Sequence, residues 1–248
     1  MMKNFGGTMR KRMILGVMCA AALALAATND ATIYDIQYTD NPGCEGTYPS
    51  LLCGSVVRVS GVVTAVEATK GNVFLTGPQG GEWNSICVEA GSLVNKNRLR
   101  PGVMVELCGT VREQFGMTIL TNLFDVRTHG VASSIPVIDA STGVLRNHEA
   151  YESALVRLQN VSLIEHQGGM WKIDDGSGTC VLEDGFNVLS QQRLQFDSDG
   201  MWMEAMGIVT FQFGEFRINP RTVADLGNQT GLHVTPSTSW GRVKSLYQ

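Results

Sequence analysis

The sequence predicts an all-β protein of two consecutive five-stranded barrels behind an export signal, and three observations carry that prediction. The chain repeats itself: Val105-Glu106-Leu107-Cys108-Gly109-Thr110-Val111, then Phe115-Gly116, matches Met203-Glu204-Ala205-Met206-Gly207-Ile208-Val209, then Phe213-Gly214. Gly71 to Leu75 and Gly169 to Ile173 repeat in the same order, as do Val57-Arg58-Val59 and Val156-Arg157-Leu158. Each copy alternates apolar and polar residues over short runs bounded by Gly-rich turns, the period of strands. No long helical period interrupts them.

Residues 1–26 read as the export signal, because Lys3, Arg10, Lys11 and Arg12 precede the apolar run Met13 to Ala27, which closes on small residues. That run is short for a bilayer span and no second one follows, so no membrane span is expected. Removing the signal takes four basic and no acidic residues, so 19 basic and 23 acidic residues become 15 and 23, about −8 for the exported chain. The expected location is secreted, periplasmic or at the cell surface.

The first barrel is expected over 27–130, with strands near 56–66, 72–76, 85–89, 103–112 and 117–126. Gly61 breaks the alternation between Val59 and Val62, the mark of a strand that bends between two faces, and Asn160 holds the matching place. Ser133, Ser134, Pro136 and Gly143 mark a linker over 131–150. The second barrel is expected over 151–229, with strands near 154–165, 170–174, 179–183, 201–211 and 215–219. Residues 230–248 form a tail in which Ser239 caps a short amphipathic helix carrying Trp240, Val243, Leu246 and Tyr247. The tail's basic and aromatic character is similar to that of C-terminal segments of exported bacterial proteins, so docking of 236–248 on cell-surface or secretion machinery is an expectation.

The motifs VVRVSGVVTAV, NVFLTGPQGG, SICVEA and LRPGVMVELCGTVREQFGMTIL, spanning Val56 to Arg127, resemble the OB-fold domains of secreted sugar-nonspecific bacterial nucleases. Asn72-Val73-Phe74-Leu75-Thr76 departs from the family's Gln-Asp hairpin ending. The second copy, with ALVRLQNVSLIE, MWKIDDGSG and GIVTFQFGEFRINPR, looks like the companion segment of such domains. The resemblance implies tandem OB-like barrels; it does not extend to a nuclease catalytic domain, for which this chain has no segment.

No motif supplies catalysis. His129, His148, His166 and His233 lack zinc-site spacing, and no nucleophile elbow or phosphate loop occurs. Asp174-Asp175-Gly176-Ser177-Gly178 lacks the frame of a calcium loop and reads as a hairpin turn. No cofactor, metal or catalytic residue is therefore expected. Cys44, Cys53, Cys87 and Cys108 are disulfide candidates, as Cys44–Cys53 with Cys87–Cys108 or Cys44–Cys87 with Cys53–Cys108, leaving Cys180 a buried thiol.

OB barrels bind polymers on the second and third strands and the flanking loops, through aromatic platforms and cations. On that basis the candidate ligand residues are Lys70, Trp83, Arg112, Phe115, Trp171, Lys172, Phe211, Arg217 and Arg221. Phe74 and Phe213 read as core. Nucleic acid is the leading partner, an extracellular protein or glycan the alternative; the acidic balance weighs against phosphate binding.

Overall fold

The computed structural model describes residues 28–44, 46–146, 148–167, 170–188, 190 and 195–233. The expected export signal and the segment 236–248 lie outside them. The chain is all-β, and its two sheets close on themselves as barrels.

The first unit opens with β1 (Asn29–Asp30) and α1 (Ile33–Gln37). Thr32 caps this short helix: Asp35 N–H donates to Thr32 Oγ1 at 3.1 Å and Thr32 N–H donates back to Asp35 at 2.9 Å. The cap aims Ile33 and Ile36 into one end of the barrel, where both are buried. The barrel strands are β2 (Val56–Glu67), β3 (Asn72–Thr76), β4 (Ser85–Glu89), β5 (Val103–Gln114) and β6 (Met117–Val131), with α2 (Leu93–Lys96) between β4 and β5. They pair in the cyclic order β2-β3-β4-β6-β5-β2, with β4 and β6 parallel. Val57, Val59, Val73, Leu75, Ile86, Val88, Leu107 and Leu120 fill the interior. The chain bends at a bulge between Val63 and Ala65, just beyond Gly61, rather than at that glycine.

The second unit repeats this plan: β7 (Ile138–Asp139), α3 (Thr142–Leu145), the 3₁₀ turn η1 (Glu149–Tyr151), β8 (Leu155–Gln167), β9 (Met170–Asp174), β10 (Thr179–Glu183), β11 (Gln195–Gln212), β12 (Glu215–Asn219), a 3₁₀ turn η2 (Val223–Asp225) and β13 (Leu226–His233). Its ring is β8-β9-β10-β12-β11-β8, with β10 and β12 parallel. Residues 131–150, expected as a linker, carry β7 and α3, and β7 pairs in parallel with β8 as β1 does with β2. Ala31 N–H donates to the Arg58 carbonyl and Ala140 N–H to the Arg157 carbonyl, both at 3.0 Å. The strand expected at 201–211 is longer, and β13 pairs with its first half, reaching into the expected tail.

A third apolar cluster joins the units. Ala65, Phe74, Cys87 and Ile119, on the outer face of the first barrel, pack against Leu155 and Ile208 of the second. Cross-strand pairing places Glu165, Lys172, Val181 and Arg217 at the matching positions of the second barrel. One face is apolar and covered; its counterpart is charged and carries the ion pairs Lys172–Glu165 and Arg217–Glu183.

Candidate ligand site at the seam between the barrels

The β5–β6 and β11–β12 hairpins point their turns at a common cleft of about 460 Å³, bordered by Lys70, Asn72, Glu89, Phe115, Phe211 and Phe213. Both turns have two residues, Phe115-Gly116 and Phe213-Gly214, and all four have positive φ, with Phe115 at +54° and Phe213 at +53°. This is the type I′ geometry that matches strand twist, where Asn or Gly is the usual first residue. A phenylalanine there carries the left-handed penalty of about 1 kcal/mol. Its ring is not buried in return: Phe115 is 86% exposed and Phe213 93%. Phe213 was expected in the core; as the tip of a tight hairpin it has no neighbours to pack beneath. Gly116 is required for closeness as well as for conformation, since a Cβ there would lie 2.6 Å from the Phe211 ring.

The cleft gathers part of the expected set. Phe115, Phe211 and Lys70 border it, and Arg217 stands 5.5 Å from the centre of the Phe213 ring. Arg112 is exposed, stands opposite Ile119 on the same outer face, and joins no ion pair among the described residues. The other cations are neutralised: Lys70 by Glu67 at 2.8 Å, and Arg217 by Glu183 at 2.9 Å and Glu215 at 3.7 Å.

Four expected ligand residues stand elsewhere. Trp171 is in the core of the second barrel, stacked on His166 at 4.8 Å, because the inward parity of β9 falls on it and on Ile173. Its neighbour Lys172 faces outward on the far barrel. Trp83 packs in the seam: its N–H donates to the Ala150 carbonyl at 2.7 Å and its ring lies edge-on to Tyr38. Arg221 is a clamp, with two nitrogens on Asp225 and Nη1 donating to the Thr64 carbonyl at 2.9 Å. The bulge in β2 releases that carbonyl from the ladder.

The disulfide expectation is corrected: all five described cysteines are free thiols. Cys87 is on β4 and Cys108 on β5, and β6 lies between them, so about two strand spacings separate backbones that a bridge needs within about 7 Å. Asp174 and Asp175 bind the turn itself, accepting the N–H groups of Gly176, Gly178 and Ser177. Among the described residues no three His, Cys, Asp or Glu side chains group as metal ligands.

A cluster of carboxyls that sequence reading passes over lies behind the Phe115 hairpin. Glu113 accepts hydrogen bonds from Ser50 N–H at 2.9 Å and the Thr118 hydroxyl at 2.8 Å. Glu152 accepts from Thr118 N–H at 3.0 Å and from the Gln37 amide at 3.3 Å. Glu149 lies beside Glu152, and burial, with the nearby charge of Glu113, pushes its carboxyl up to about 8. Burial and the neighbouring Glu149 hold Glu152 well above the usual carboxylate range. Sequence gives no signal for this cluster, since β5 brings Glu113 and the distant 3₁₀ turn η1 brings Glu149 and its cap Glu152.

Compared with known proteins, the sequence matches no protein-family model and no curated protein.

Proposed function

We propose that the protein is an exported, non-catalytic binding module in which two OB-type barrels form one body and hold a single strand of nucleic acid in the seam cleft. The observation that carries this reading is the pair of exposed phenylalanines, each held in a costly backbone conformation and both bordering one cleft. Ring faces of this kind stack bases whatever their sequence. The matched cyclic strand order of the two units, with the third and fifth strands parallel, supports the OB reading and its likeness to the domains of secreted nucleases.

Ionic contact plays a small part in this reading, because two of the three nearby cations are paired with carboxylates. Fluorescence anisotropy of the mature protein with labelled single-stranded DNA, titrated across a salt series, tests it. Saturable binding is expected, with log K falling against log salt at a slope no steeper than about −2, from three cations at about 0.7 each. Phe115→Ala and Phe213→Ala are each expected to weaken binding about tenfold or more. A folded protein that binds no DNA at low salt overturns this ligand.

The second reading, an extracellular protein or glycan as partner, is favoured by the exported chain's charge of about −8. In that reading deletion of 236–248 alters retention at the cell surface.

A further inference from the structure

We propose that the carboxyls of Glu149 and Glu152 form a proton-held latch between the two barrels, which opens as they ionise and frees the hairpin that carries Phe115. The latch is independent of what the cleft binds.

The geometry is that of a bolt crossing the seam. Glu149 and Glu152 belong to the second unit, while every group that grips Glu152 belongs to the first: Thr118 on β6 and Gln37 on α1. Gln37 is itself held by donating to the Ser85 carbonyl on β4. Both carboxyls are buried, Glu152 at 3% exposure and Glu149 at 7%. The second carboxyl oxygen of Glu152, Oε2, is buried without a hydrogen-bond partner among the described residues, so nothing in the seam receives the charge that ionisation would place there. The other groups facing the pair supply no positive charge. Glu113 approaches from β5 and the Cys87 thiol from β4, while the adjacent Tyr151 donates its hydroxyl to Glu82 and lies edge-on to the exposed ring of His148. No ion pair among the described residues includes Glu113, Glu149 or Glu152.

Loss of the proton leaves two adjacent negative charges beside Glu113, with no cation paired to any of the three among the described residues. Hydration relieves them, and water enters only if the units part. The strand positions next to hydrogen-bonded Thr118 and Glu113 lead directly to Phe115 and Gly116, so parting at the latch loosens that turn. It also uncovers Cys87, which lies in the seam cluster. Cys180 lies inside the second barrel and stays covered, which makes it an internal reference.

The test is alkylation of the folded full chain at pH 5 to 9 with peptide-resolved mass spectrometry, read as the ratio of Cys87 to Cys180 modification. Each ratio is divided by that of the urea-unfolded protein at the same pH, which removes the thiols' own titration. The expected ratio rises about tenfold per pH unit up to about 8 and then levels. In Glu149→Gln and Glu152→Gln, whose amides supply a permanent donor, it stays flat. A flat ratio in the natural protein overturns the latch whether or not the variants fold. A rise of equal size in variants shown folded by circular dichroism also overturns it.

Discussion

Phe115 and Phe213 occupy positions where backbone chemistry asks for asparagine or glycine and burial asks for something smaller. Each works against the stability of its hairpin, which is why the proposed binding reading rests on them. Phe115→Asn and Phe213→Asn are expected to raise stability by about 0.5–1 kcal/mol each, seen in urea unfolding, while weakening ligand binding. Gly116→Ala is expected to do the reverse to the fold. It sets a Cβ against the Phe211 ring and strains a φ of +82°, so a loss of about 2 kcal/mol is expected.

Among the elements, the most informative difference between the units is in the last barrel strand. In the first unit β6 runs unbroken through Val131; in the second, Pro220 and η2 divide the same strand into β12 and β13. The interruption places Arg221 against the Thr64 carbonyl and the nearly buried carboxylate of Asp225. Arg221→Ala strands that carboxylate and is expected to cost about 3 kcal/mol in denaturant unfolding. Alternation and repetition make the ten ring strands legible in sequence, because both are local patterns. The shared Asp-Ala-hydroxyl run, Asp30-Ala31-Thr32 and Asp139-Ala140-Ser141, would have revealed β1 and β7 to a search reaching ahead of the barrels. Which outer face the partner barrel covers is not a local property. Hence the turn position of Phe115 is legible in sequence, whereas the inward face of Trp171 on β9 and the seam contacts of Trp83 and Arg221 are not.

For the whole molecule, Glu149 and Glu152 set the direction of the pH dependence of stability above the carboxylate range. The carboxyl of Glu149 rises from an ordinary value near 4.5 to about 8 on folding, so the protonated form is the one folding favours. Below 4.5 both states hold the proton and the contribution of Glu149 is full; between 4.5 and 8 only the native state holds it. Glu149 therefore contributes a loss of about 1.4 kcal/mol per pH unit across that window, and Glu152, raised by burial and by Glu149, adds a loss in the same direction. Urea midpoints measured from pH 4 to 9 check this: Glu149→Gln is expected to make the slope shallower, and the double variant with Glu152→Gln to make it shallower still. The unequal outer faces of the two barrels set a limit of another kind. If both were apolar, the second would seek a first on a neighbouring molecule, and that contact, made head to tail, would propagate without closing into a fibre. The row Glu165, Lys172, Val181 and Arg217 puts paired charges at these positions in place of the apolar seat that the first barrel offers.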